Sequence, residues 1–147
     1  MRSGVVVLVA ALLVGSGFAQ QGAPATPVEN PYQGDLPFVA GQPVSLGVVV
    51  EGVRLDALTV TPRQQPVAGS PVSCDVVFTG SGVGERKATA SVVLLLEDAG
   101  GRGLERLVLD GFKIKPGRDF QEAQRRDVDG GALLAAARVY ILAQVTL

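Results

Sequence analysis

The sequence predicts an all-β fold, an antiparallel sandwich of about seven to eight strands, and three observations carry that expectation. Apolar residues alternate with a period of two through several short segments. Gly- and Pro-rich turn signals recur every ten or so residues. A fourteen-residue stretch is also written twice: "VAGQPVSLGVVVEG" at residues 39–52 and "VAGSPVSCDVVFTG" at residues 67–80 match at nine positions.

In the second copy Val72, Cys74, Val76 and Phe78 point one way, and Ser73, Asp75, Val77 and Thr79 the other. Such alternation marks a half-buried strand. The first copy sets Val44, Leu46, Val48 and Val50 on one side. Each follows a Gly-x-Pro turn, in which glycine is free to take positive φ and proline opens the strand. The similarity ends at Gly52 and Gly80, and two units fall short of the three that a stacked repeat needs. The copies read as shared local grammar, two strands of one sheet system.

"VRLDALTVT" (residues 53–61) keeps Val53 and Leu55 in phase with Leu58 and Val60 only if a β-bulge adds one residue near Asp56. "ASVVLLLE" (residues 90–97) is a continuous apolar run, suited to a central strand covered on both faces. "LERLVLDGFKI" (residues 104–114) follows the turn "DAGGRG", and "KPGR" (residues 115–118) reads as a type II turn. "DFQEAQRRD" (residues 119–127) is polar and fits a short helix, an edge strand or a loop. The alanines of residues 132–137 favour at most one helical turn. "RVYILAQVTL" (residues 138–147) closes the chain as a strand with two apolar faces, which belongs inside a sheet. The charged stretch before it suits an exposed edge.

Ahead of this domain stand two other segments. Residues 1–19 have the parts of a secretory signal peptide: Arg2, a ten-residue apolar core from Val5 to Val14, then Gly17 and Ala19 before a cleavage point. The apolar core is short for a transmembrane helix. Residues 20–37 hold four of the nine prolines with little apolar periodicity, and read as a flexible tether. Residues 38–147 are one domain's worth of chain. Cys74 is the only cysteine, so no internal disulfide can form. Without Arg2, twelve basic residues face fourteen acidic ones, and neither sign forms a block along the sequence. That argues against nucleic acid and against a charged membrane surface as partners.

The stretch "LDALTVTPRQQPVAGSPVSCDVVFTGSG", the Pro-Gly turn in "KPGRDF" and the late strand "LLAAARVYILAQV" resemble bacterial extracellular immunoglobulin-like domains of the cell-adhesion-related (CARDB) and fibronectin type III-like kinds. The resemblance spans residues 55–147 and places Tyr140 where a corner tyrosine sits. It implies an immunoglobulin-like antiparallel β-sandwich acting as a binding or spacer module, and carries over no functional residues. The chain departs from those domains in having no tryptophan.

Histidine is absent, which removes the commonest general base and catalytic metal ligand. Cys74 lies on the apolar side of its strand and reads as a small hydrophobe rather than a nucleophile. Glu97-Asp98 and the faintly calcium-loop-like Asp127-Val128-Asp129-Gly130-Gly131 read as turn acids, since two aspartates offer too few of calcium's six to eight oxygens. The glycine clusters "GSGVGER" and "AGGRGLE" lack the strand-to-helix setting of a phosphate loop and read as hairpin loops. No catalytic, cofactor-binding or metal residues are therefore assigned, and no cofactor is expected. The expected function is that of an exported, non-catalytic module of the bacterial cell envelope, periplasmic or secreted, that binds an envelope or extracellular protein. Neither nucleic-acid binding nor membrane insertion of the mature chain is expected. The alternative is a small carbohydrate- or calcium-dependent ligand binder.

Overall fold

The computed structural model describes residues 24–147; the expected signal peptide and the first four residues of the expected tether lie outside them. Among the described residues, two sheets pack face to face over one hydrophobic core, giving an all-β sandwich. The first sheet holds β1 (Thr26–Pro27), β3 (Val44–Val50), β4 (Val53–Pro62), β5 (Pro71–Gly82) and β9 (Asp119–Asp129), in that order. The second runs β2 (Tyr32–Pro37), β10 (Arg138–Thr146), β6 (Ala88–Glu97), β7 (Gly103–Val108), with β8 (Phe112–Ile114) also paired to β6. Eight of these strands have six residues or more, while β1 and β8 have two and three. Phe78, Leu55, Leu58, Leu94, Leu96, Ile114 and Ile141 are the largest fully buried side chains. Each such burial contributes about 1.5–3 kcal/mol.

The duplicated stretch is one piece of β-structure made twice. Gly41 (φ 82°) and Gly69 (φ 84°) take the same left-handed conformation. Gln42 N–H donates to Val39 C=O, and Ser70 N–H to Val67 C=O, closing the same tight turn in both copies. The copies then form β3 and β5, which flank β4 on either side. The bulge expected near Asp56 is present, as a register shift between Leu55 and Ala57 against β5. Lys115-Pro116-Gly117-Arg118 makes the expected type II turn, with Gly117 at φ 73° and Arg118 N–H donating to Lys115 C=O.

Five expectations are corrected. The tether does not extend to Pro37: Tyr32–Pro37 pairs antiparallel with β10 over six residues. Tyr32, Gly34 and Leu36 supply an inward, half-buried face there, short enough to be masked by the flanking prolines. The sandwich therefore begins before residue 38. The β6 run is central but covered on one face only, with Val93 and Leu95 half-buried on the other. The strand expected across residues 104–114 is broken into β7 and β8 at Leu109-Asp110-Gly111, where Gln124 of β9 clips both backbone groups of Asp110. "GSGVGER" is no hairpin loop, because it carries the chain from β5 in one sheet to β6 in the other. The alanine segment exceeds one turn: α1 (Gly130–Ala135) is six residues long.

The polar stretch at residues 119–127 is an edge strand, hydrogen-bonded to β5 alone. The closing strand lies inside its sheet, between β2 and β6.

Candidate functional site

The residues weighed for chemistry from the sequence are spread through the sandwich. Cys74 is fully buried, and its thiol is pushed up by desolvation and then by the Asp75 and Asp127 carboxylates. Asp129 is the N-cap of α1, its Oδ2 accepting from Ala132 N–H at 3.0 Å, while Asp127 is exposed on β9. Capping satisfies a helix-end N–H that would otherwise lack a partner, which accounts for an acid before two glycines. Asp98 Oδ1 accepts from Gly100 N–H and Arg102 N–H, both at 2.9 Å, and shapes the β6–β7 turn. Among the described residues no group of three or more His, Cys, Asp or Glu side chains converges as a metal site would require. Tyr140 does not form a tyrosine corner: its hydroxyl donates to Gln33 Oε1 across the sheet at 2.6 Å.

What the strands do bring together is the outer face of the second sheet. Alternation sends Val139, Ile141, Ala143 and Val145 of β10 into the core, so Arg138, Tyr140, Leu142, Gln144 and Thr146 face outward. The register then fixes their neighbours. Leu142 lies beside Val93, and Val93 beside Val108; Tyr140 lies beside Leu95, and Leu95 beside Arg106. Val93, Leu95, Tyr140 and Leu142 are half-buried, and Val108 is 50% exposed. This makes an apolar and aromatic centre, with Gln33, Ser91, Arg106 and Gln144 at its margin.

The two ends of that face differ in charge. At one end Arg138 Nε donates to Asp35 Oδ1 at 2.9 Å, and the guanidinium also reaches Asp35 C=O. Glu97 lies opposite Arg138 and is 8% exposed, with Oε1 lacking a hydrogen-bond partner. Burial holds the Glu97 carboxyl above the ordinary glutamate range. The Asp35 charge and its hydrogen bond raise it further, Arg138 opposes, and Asp98 adds to the rise.

At the other end Thr89 lies between Lys113 and Thr146, and Lys87 and Lys115 adjoin the last pair of the β6–β8 ladder, Ala88 with Ile114. These side chains border an open groove of about 580 Å³, with Ala88, Ile114 and Leu147 as its apolar lining. All three lysines of the chain are in it. This gathering is not legible along the chain, since Lys87 is 26 residues away from Lys113. The only trace in sequence is the Lys-x-Lys spacing of residues 113–115, which puts two lysines on one face of a strand.

No protein-family model matches the chain, and a search of curated proteins found no match. The fold and its surface define the class: a β-sandwich of two packed sheets, with one outer face patterned from a basic end through an apolar centre to an end of paired charges.

Proposed function

We propose that the chain is an exported, non-catalytic binding or assembly module of the bacterial cell envelope, an immunoglobulin-like sandwich that acts through protein–protein contact. The observation that carries this reading is the apolar and aromatic centre of the second sheet's outer face: Val93, Leu95, Val108, Tyr140 and Leu142 with a polar margin. Tyrosine and arginine beside a desolvatable aliphatic centre are the chemistry of interface hot spots. The occupant is a folded protein surface with a flat apolar centre, because the face is a broad sheet rather than a slot for a side chain.

The immunoglobulin-like assignment draws on the pairing pattern. β5 pairs with β9 while β6 pairs with β10, and both β5–β6 and β9–α1–β10 cross between sheets. That is the relation of strands B, C, E and F in such domains. The place of strand G, beside F, is taken here by β2 from the N-terminal side.

A photo-crosslinking residue at Val108 in the full chain, expressed in its own cells, tests the function. The expected outcome is a discrete protein adduct at Val108 that is absent when the probe stands at Arg63, just beyond β4 of the first sheet. Equal adducts at both positions, or none at Val108, would refute protein contact through this face. Intact mass beginning at Gln20 in the periplasm or medium would establish export.

A further inference from the structure

We propose that the groove bordered by Lys87, Lys113 and Lys115, with Thr89 and Thr146, is a binding site for a multiply charged oxyanion: a compact ligand bearing several phosphate or carboxylate groups.

Four observations lead there. First, Lys113 of β8 and the two lysines flanking the β6–β8 ladder, Lys87 and Lys115, line one groove. Thr89 is paired with Lys113, and Lys87 and Lys115 adjoin the last pair of that ladder, Ala88 with Ile114. Like charges gathered at one place repel one another, so the arrangement is unfavourable for the chain alone.

Second, no ion pair among the described residues offsets it. The ion pairs of the described residues are formed by arginines, and none of the three ammoniums has a carboxylate within 4.0 Å. The nearby acids Glu51 and Glu85 line, with Arg86, a second groove that shares Leu147 with this one. This happens on a chain whose net charge is −1. Three uncompensated cations in one groove are therefore set apart from the general surface.

Third, the backbone that carries them is anchored. Gly82 N–H donates to Arg118 C=O and Gly117 N–H to Gly82 C=O, tying the β8–β9 turn to the end of β5. A side chain at Gly82 would overlap the Lys115 carbonyl, so glycine permits this close approach. Lys113 and Lys115 are thus presented from a fixed ladder and turn, which lowers the ordering cost on binding.

Fourth, the groove has the size and mixture of a small-molecule site. Its volume of about 580 Å³ falls in the range of ligand pockets. Ammonium donors can pair with anionic oxygens, the threonine hydroxyls can hydrogen-bond either charged or neutral oxygens, and Ile114 and Ala88 offer an apolar floor.

The test is calorimetric titration of the full chain at low salt with tripolyphosphate and, separately, citrate. The two arms distinguish a phosphate from a carboxylate source. Saturable one-to-one binding is expected with at least one, weakening as salt rises. Exposed charge pairs contribute about 0.2–1 kcal/mol each, so losing three should weaken binding by roughly threefold to more than a hundredfold. The variant K87Q/K113Q/K115Q should show this loss. R102Q, which removes a cation from the β6–β7 turn at the opposite end of the sheet, should bind as the parent does. Relief of the lysine repulsion should also raise the melting temperature of K87Q without ligand. Should the triple variant not fold, amide shifts on titrating the parent chain decide: they should centre on residues 87–89, 113–115 and 146. Absence of saturable binding to both probes, equal binding by the triple variant, equal loss in R102Q, or shifts centred elsewhere would each overturn the proposal.

Discussion

Arg125 and Arg126 are neighbours in sequence, yet truncating them should have unequal consequences. On β9, Phe120, Glu122, Gln124, Arg126 and Val128 turn toward the second sheet, and Arg125 turns away. Arg126 Nε donates to Val108 C=O at 3.0 Å and one terminal nitrogen to Arg125 C=O at 2.7 Å. The other reaches Gln124 Oε1 at 2.9 Å and stands 3.3 Å from Asp110. This guanidinium spans the open rim between the two sheets. Arg126→Ala leaves two carbonyls and an amide oxygen without it, and at ~0.5–1.5 kcal/mol per hydrogen bond the sum approaches 3 kcal/mol. Water can replace part of that at the rim, so a loss of about 1–2 kcal/mol is expected. Arg125 has a single ion pair, 3.7 Å from Asp75, with its side chain 58% exposed. Asp75 keeps Arg63 at 3.1 Å in any case. Arg125→Ala should therefore cost under about 0.5 kcal/mol. Urea unfolding of the parent and both variants, followed by circular dichroism, reads the difference. Equal losses, or a larger loss for Arg125, would refute the assignment of Arg126 as the clip that holds the rim. The same clip guards an edge strand, because inward-facing polar residues discourage the docking of a further strand. Arg126→Ala should consequently also self-associate at concentrations where Arg125→Ala does not, as light scattering would report.

Glu97→Gln should alter the pH dependence of stability. With its folded pKa raised, Glu97 contributes stability fully below the ordinary glutamate range, and that contribution is lost as pH rises through the folded value. Denaturation across pH 4 to 8 should show the parent losing ground to Glu97→Gln as pH rises; parallel profiles would rule this out. Cys74 should react with thiol reagents only as fast as the chain unfolds, given its burial and raised pKa, and rapid labelling of the native protein would contradict its position. Gly80→Ala should cost at least about 1–3 kcal/mol, since a Cβ there overlaps the Arg54 carbonyl and the Phe120 ring at the β4 bulge. An unchanged melting temperature would show that the bulge can relax.

Where alternation and turn chemistry act locally, the fold was legible in the sequence. The two copies, the bulge near Asp56 and the Lys115–Arg118 turn follow from adjacent residues alone, and the structure shows each. β10 could be placed inside a sheet because both of its sides are apolar in one short run. The misjudged places depend on partners distant in sequence. β2 was hidden because its Tyr-x-Gly-x-Leu face is half-buried only against β10, more than one hundred residues later. β6 looked covered on both faces because a hydrophobic run does not say whether its second side meets another layer or the surface. The break at Leu109-Asp110-Gly111 depends on Gln124, which belongs to the other sheet.

The same limit governs the candidate surface, and it explains why the charge pattern along the chain pointed away from it. Read in order, the lysines are scattered and no block of one sign exists. A sheet, however, sorts side chains by register rather than by sequence. Pairing β8 and β10 to either side of β6 sets Lys113, Thr89 and Thr146 in one row. Further along β6 and β10, where β7 takes the place of β8, Val108, Val93 and Leu142 form another row, then Arg106, Leu95 and Tyr140. The basic groove and the apolar centre thus share one outer face, separated along β6 by Ser91. Successive outward residues on a strand are about 7 Å apart, so Thr89 and Val93 lie roughly 13–14 Å from one another. That spacing lets a partner cover the apolar centre while the lysine groove stays open to a separate anion. A partner carrying its own acidic group could instead engage both. Crosslinking from Val108 in the presence and absence of saturating tripolyphosphate separates these cases: an unchanged yield means two independent sites, and competition means one composite surface.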